Sequence, residues 1–151
     1  MTHRRPEPDL LAVAAQWADP DTWPVALRFD PAERWYARLA TDAEYEVWAL
    51  SWLPGQGTDL HDHGGSAGAF RVVAGTLTEE TVAGGRLRPR LLPAGAGRRF
   101  GPRHVHVVTN RGTTPAVSVH VYRPALRRMT RYDLLDGRLR AAEVAEAGRS
   151  W

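Results

Sequence analysis

Glycine and proline interrupt the chain so often from Pro54 onward that the runs between them suit short strands. Residues 69–74 form an apolar run. Residues 75–82 and 86–92 alternate in period two on either side of Gly84-Gly85, a hairpin signal. Residues 100–109 read as a further strand, and 116–122 are β-branched and alternating. Upstream, 34–39 and 45–53 flank the polar segment Thr41-Asp-Ala-Glu as the arms of a hairpin, although helix propensity alone would prefer a helix over 31–39. Asp9 is placed to cap an amphipathic helix over 9–17, with Leu10, Val13 and Ala14 on one face. The Ala- and Glu-rich tail, 136–147, reads as a terminal helix. These signals predict one all-β domain, a sandwich or barrel. An N-terminal arm (1–30) packs on a barrel (31–135), and a helical tail (136–151) follows.

A chain of 151 residues is long enough to bury one real core. It contains no cysteine, which excludes disulfides, thiolate metal sites and a cysteine nucleophile. No apolar stretch resembles a signal peptide or approaches a membrane span, so a soluble cytoplasmic protein is expected, a monomer or weak homo-oligomer. All 20 basic residues are arginine, yet the formal charge is only +3 and the arginines are dispersed among 17 acidic residues. Dispersed charge reads as solvated surface, so neither nucleic acid nor a membrane is an expected partner.

Chemistry concentrates in the stretch from Gly55 to Gly75, centred on His61-Asp62-His63. In extended chain, side chains two apart share a face, so both imidazoles can aim into one space while Asp62 points away. A third histidine from a distant strand would complete a metal site, since neutral imidazole suits iron, copper, nickel and zinc. His104 and His106 both qualify by position. Ser118, His120 and Tyr122 share one face of their strand by the same period of two.

Gly55, five residues, His61, one residue, His63, four residues, Gly68, six residues and Gly75 make the spacing of the first cupin motif, with glycine at residue 68 where that family usually has glutamate. His106-Val-Val-Thr-Asn110 matches the end of the second motif, which favours His106 over His104 as the third ligand. The chain therefore resembles a cupin, and the resemblance implies a small jelly-roll barrel. Within the cupins, Trp52-Leu-Pro-Gly-Gln-Gly-Thr-Asp-Leu-His-Asp-His-Gly-Gly-Ser and Pro115-Ala-Val-Ser-Val-His-Val-Tyr-Arg-Pro are similar to the cysteine dioxygenase family, over roughly residues 35–124.

That resemblance implies Fe(II) held by His61, His63 and His106, and oxidation of a small thiol by O2 to a sulfinic acid. It implies a hydrogen-bonded row of Ser118, His120 and Tyr122 beside the metal, and a substrate carboxylate met by Tyr36 and Arg38, with Arg131 as the reserve cation. L-cysteine is the expected substrate. Without any cysteine, a crosslink from residue 68 to the tyrosine cannot form, and Arg123 replaces the serine usual before the following proline. Two other readings stay open: a 3-mercaptopropionate dioxygenase, and a cupin that only binds metal and senses a small molecule. One fold hosts many functions.

Overall fold

The computed structural model describes residues 4–146. Asp9 caps helix α1 (Leu10–Gln16), its carboxylate accepting from the backbone N–H groups of Leu11 and Ala12 at 3.1 and 3.4 Å. Ten antiparallel strands follow: β1 (Trp35–Thr41), β2 (Glu46–Trp52), β3 (Ala67–Ala74), β4 (Thr76–Ala83), β5 (Arg86–Pro93), β6 (Gly97–Phe100), β7 (His106–Thr109), β8 (Ala116–Arg123), β9 (Arg128–Leu135) and β10 (Arg138–Glu146). The expected hairpin of β1 and β2 is present, and its turn is held by Asp42, whose Oδ1 accepts from the backbone of Glu44 and Tyr45.

One sheet runs β1-β2-β8-β3-β6. The second has two parts, β5-β4-β7 and β9-β10, and the segment carrying His61 lies between them. Gly57 bridges Thr109, while His61 bridges His106 on one side and Arg131 on the other. The two layers close on a core that includes Leu50, Trp52, Phe70, Leu77, Leu92 and Val108. Strand β8 is buried on both faces because its residues alternate in character. Ser118, His120 and Tyr122 turn inward, while Val117, Val119 and Val121 pack outward with Val13 and Ala14 of α1. Burying each of those valines contributes about 1.5–3 kcal/mol relative to exposure, which fixes the helix on that face.

Two expectations fail. The single strand over 100–109 is split: a turn at Gly101–His104 separates β6, paired with β3, from β7, paired with β4. The predicted tail helix is β10; of the tail's span, residues 147–151 lie outside the described residues. Asp136 (φ 51°) and Gly137 (φ 74°) make the left-handed turn of a hairpin, and β9 then supplies a pairing edge that outweighs the helix propensity of the tail. Among the described residues no helix is long and apolar enough to cross a membrane.

Candidate metal centre

His61 and His106 come from segments 45 residues apart in sequence and are joined by a pair of backbone hydrogen bonds, each 3.0 Å. Their ring centroids lie 4.8 Å apart. The chain turns just after His63, with the Ser66 N–H bonded to the His63 carbonyl, and this brings the His63 ring to 5.0 Å from His61 and 4.8 Å from His106. One ligand nitrogen from each ring falls within 4.8 Å of the others. All three residues are buried.

The hydrogen bonds around the rings fit a metal. His61 Nδ1 lies 2.7 Å from the Asp59 carbonyl and His106 Nδ1 lies 2.7 Å from Glu79 Oε2. Both acceptors claim the Nδ1 proton, leaving Nε2 as a bare donor toward the shared space. His63 stacks on Phe100 at 4.4 Å, and its Nδ1 has no hydrogen-bond partner among the described residues. Burial pushes His61 and His63 well below the usual histidine value, and the neighbouring His106 adds to the effect. Burial lowers His106 as well, against the pull of Glu79. The rings are therefore neutral, as metal ligation requires.

Asp62 turns away from the cluster. Its carboxylate takes the N–H of Gly64 and, from β9, the Thr130 N–H and the Tyr132 hydroxyl, both at 2.8 Å. No carboxylate replaces it as a fourth ligand at residue 68. A Cβ on Gly68 would stand 2.4 Å from the Phe100 ring and 2.7 Å from the Val121 carbonyl, so Phe100 fills that place.

Ser118 and His120, on the inward row of β8, are hydrogen-bonded to each other. The Trp52 indole N–H donates to Ser118 Oγ at 2.9 Å, and that oxygen lies 2.7 Å from His120 Nε2. Ser118 Oγ accepts from Trp52 and is hydrogen-bonded to His120, which ties the row to the indole. His120 is lowered to about 3 by burial and then by His106 and Arg34. Tyr122 is buried, with its ring 5.7 Å from that of His63. Burial raises its phenol well above the ordinary tyrosine value, against the Arg34 charge, so the hydroxyl keeps its proton at neutral pH.

A cavity of about 360 Å3 opens over this floor, lined by His61, His106, His120 and Tyr122. Arg131 also reaches it. Tyr36 packs on Trp48 at 6.0 Å between ring centroids, half-buried beside the core. Arg38 is exposed on β1 and does not line the cavity, whereas Arg34, which sequence reasoning passed over, does. Glu79 was passed over too. It is 1% exposed, and its carboxylate also reaches His104 at 3.2 Å and Arg98 at 2.6 Å, the latter an ion pair too poorly aligned for a hydrogen bond. Period-two alternation with the core residue Leu77 was the signal that could have placed Glu79 inside. Glu79, His104 and His106 form a second grouping able to hold an ion.

Solved structures with the same fold are distant in sequence. An uncharacterised conserved protein with a double-stranded β-helix domain from Klebsiella pneumoniae is 21% identical, with a TM-score of 0.61 over 83% of this chain and 95% of that one. TT1209 from Thermus thermophilus is also 21% identical, with a TM-score of 0.59 over 66% and 90%. An RmlC-like cupin protein from Desulfovibrio desulfuricans is 20% identical, with a TM-score of 0.55 over 69% and 94%. No curated protein matches the chain. The sequence profile of cysteine dioxygenase type I matches residues 9–134. A cupin barrel with a buried group of three histidines that fits a metal, matched by that profile over most of its length, belongs to the cysteine dioxygenase type I family.

Proposed function

We propose that the protein is an Fe(II)-dependent thiol dioxygenase that converts L-cysteine and O2 to cysteine sulfinic acid. The observation that carries this reading is a set of three neutral imidazoles with no carboxylate among them, Phe100 filling the place of a fourth ligand. His61, His63 and His106 would hold a ferrous ion without cancelling its charge, and an ion so held would favour a thiolate substrate. Iron, when bound, supplies the activation of O2. Both oxygen atoms pass to sulfur; sulfur yields the electrons that O2 takes up, so no outside reductant is required.

The chain's own residues orient and exclude. Glu79 and the Asp59 carbonyl hold two of the rings by their Nδ1 protons. Trp52, Ser118 and His120 form a rigid hydrogen-bonded support behind Tyr122. Tyr122 keeps a proton at its hydroxyl oxygen and can lend it as a hydrogen bond to a group bound at the cavity floor.

The test is anaerobic loading with Fe(II), followed by cysteine and air, with sulfinate and O2 uptake measured together. Cysteine sulfinate formed with matching O2 uptake is the expected result. Stoichiometric iron with no product from cysteine, 3-mercaptopropionate or any other small thiol overturns the reading.

A further inference from the structure

The second sheet ends at β10, and among the described residues no strand pairs with its outer side. An edge of this kind presents unpaired N–H and C=O groups that another strand can take up. The other sheet edges suit that less. β5 carries Pro89 and Pro93, which offer no N–H, and β6 has only four residues. β1 holds a single charge, Arg38, with nothing on the strand to complement it. β10 has nine residues and no proline.

The sequence of β10 is arranged in opposites about its middle. Arg138 and Arg140 fall in the first half and Glu143 and Glu146 in the second, with Ala141 and Ala142 between them. The register against β9 shifts between Ala141 and Glu143, which leaves Ala142 as the extra residue of a bulge. Three residues apart, Arg140 and Glu143 would otherwise point to opposite faces. The bulge sets both on the inner face, which Met129 and Arg131 share, and sets Leu139 and Val144 on the outer one. Leu139 and Val144 are 38% and 61% exposed. Arg140 forms no ion pair among the described residues. Glu143 uses only Oε2, on Arg131 at 3.0 Å.

We propose that this edge binds a second copy of the chain, β10 to β10 in antiparallel pairing about a two-fold axis at the alanine bulge. In that register Arg140 of each copy stands opposite Glu143 of the other, and Leu139 opposite Val144, so each pair occurs twice. Opposite charges and apolar residues set across from one another are what stabilise a strand pair. Moving the axis by one position toward either end sets Arg140 against Arg140 or Glu143 against Glu143, so charge selects this register. Only methyl side chains meet at the axis, which lets the backbones approach to the ordinary strand spacing of about 4.8 Å. The second sheets of the two copies then run on as one. Because Glu143 also holds Arg131, the joint lies beside the cavity wall. Neither iron nor a thiol takes part in the contact, so it is independent of the dioxygenase reading.

A paired edge about 30 Å long is a small interface, and a dissociation constant of about 1–100 µM is expected for the full chain by sedimentation equilibrium, with or without Fe(II). Arg140→Glu and Glu143→Arg, each alone, set like charges opposite one another twice and should weaken the dimer at least about 10-fold. Mixed in equal amounts, these two variants should pair with wild-type affinity, since every facing pair is again of opposite sign. Glu143→Arg also gives up the Arg131 contact. Should it fold poorly by circular dichroism, Val144→Asp changes an exposed position facing Leu139 of the other copy and should weaken the dimer about 10-fold by itself. A wild type still monomeric at about 1 mM overturns the proposal. So does a dimer indifferent to Arg140→Glu and Val144→Asp, or a pair of folded charge variants that fail to associate on mixing.

Discussion

The backbone N–H of His61 donates to the carbonyl of His106, and the His106 N–H donates to the carbonyl of His61, both at 3.0 Å. Two of the three rings are therefore placed by sheet register before any metal arrives. The other edge of this segment is held as well, by Asp62 N–H to the Thr130 carbonyl at 2.9 Å and Tyr132 N–H to the Leu60 carbonyl at 2.8 Å. A slip of one residue on either side would turn a ring out of the site.

His106 belongs to both possible ion-holding groups, so His63 and His104 discriminate between them. After anaerobic Fe(II) loading, His63→Ala should lose stoichiometric iron and His104→Ala should keep it, as read by metal analysis. The reverse pattern would move the ion to Glu79, His104 and His106.

Glu79 acts on the site through His106 Nδ1, 2.7 Å away. Glu79→Gln should lower iron affinity about 10- to 100-fold, the usual loss when a ligand's orienting partner is changed. A chelator competition measures it; unchanged affinity would reduce Glu79 to a buried ion-pair residue.

Gly68 has no room for a side chain. Gly68→Ala should destabilise the fold by about 1–3 kcal/mol through overpacking on Phe100 and the Val121 carbonyl. Urea denaturation gives the number. Phe100→Leu should recover part of the loss in the double variant, since the two residues touch.

Asp62 ties the histidine segment to β9 through the Thr130 N–H and the Tyr132 hydroxyl. Asp62→Ala should cost about 1–3 kcal/mol by leaving these donors unsatisfied. Melting temperature should fall by about 2–4 °C per kcal/mol in a chain of this size. Tyr132→Phe, which removes one of the bonds, should cost less. Equal losses would mean that the Thr130 and Gly64 contacts contribute nothing.

Acid should destabilise the metal-free protein over a defined window. His61, His63, His106 and His120 are all held below the ordinary histidine value of about 6.5, so the unfolded chain binds protons that the folded one refuses. Stability should then fall as pH drops from about 6.5 toward the His120 value of about 3. Glu79 acts with the same sign at lower pH. Burial pushes its carboxyl up, but hydrogen bonds from His104 and His106 together with the charges of His106 and Arg98 hold it at about 2, and its contribution disappears as pH falls from about 4.3. Melting curves of metal-free protein from pH 4 to 8 check this, and a melting temperature that rose on acidification would refute it.

The alternation of β8, the capped helix α1 and the β1–β2 hairpin were legible because local pattern and tertiary role agree there. So were His61, His63 and His106, whose spacing records a shared face and a shared strand pair. The tail was misread because its residues favour a helix in isolation, and only an edge strand elsewhere in the chain makes β10 the better state.

By itself the sequence determined that this chain is a β protein whose His61, His63 and His106 fall on spaced, inward-facing positions, because strand periodicity is a property of neighbours in the chain. It also determined that thiolate and disulfide chemistry of its own is absent, there being no cysteine. The tertiary structure decided which charges face those histidines. Glu79 and Arg34 look like any other acidic and basic residue until β4 is laid against β7 and the Trp52 ring is set beneath a guanidinium. Burial and the choice of partner arise between distant segments, and no local pattern carries them.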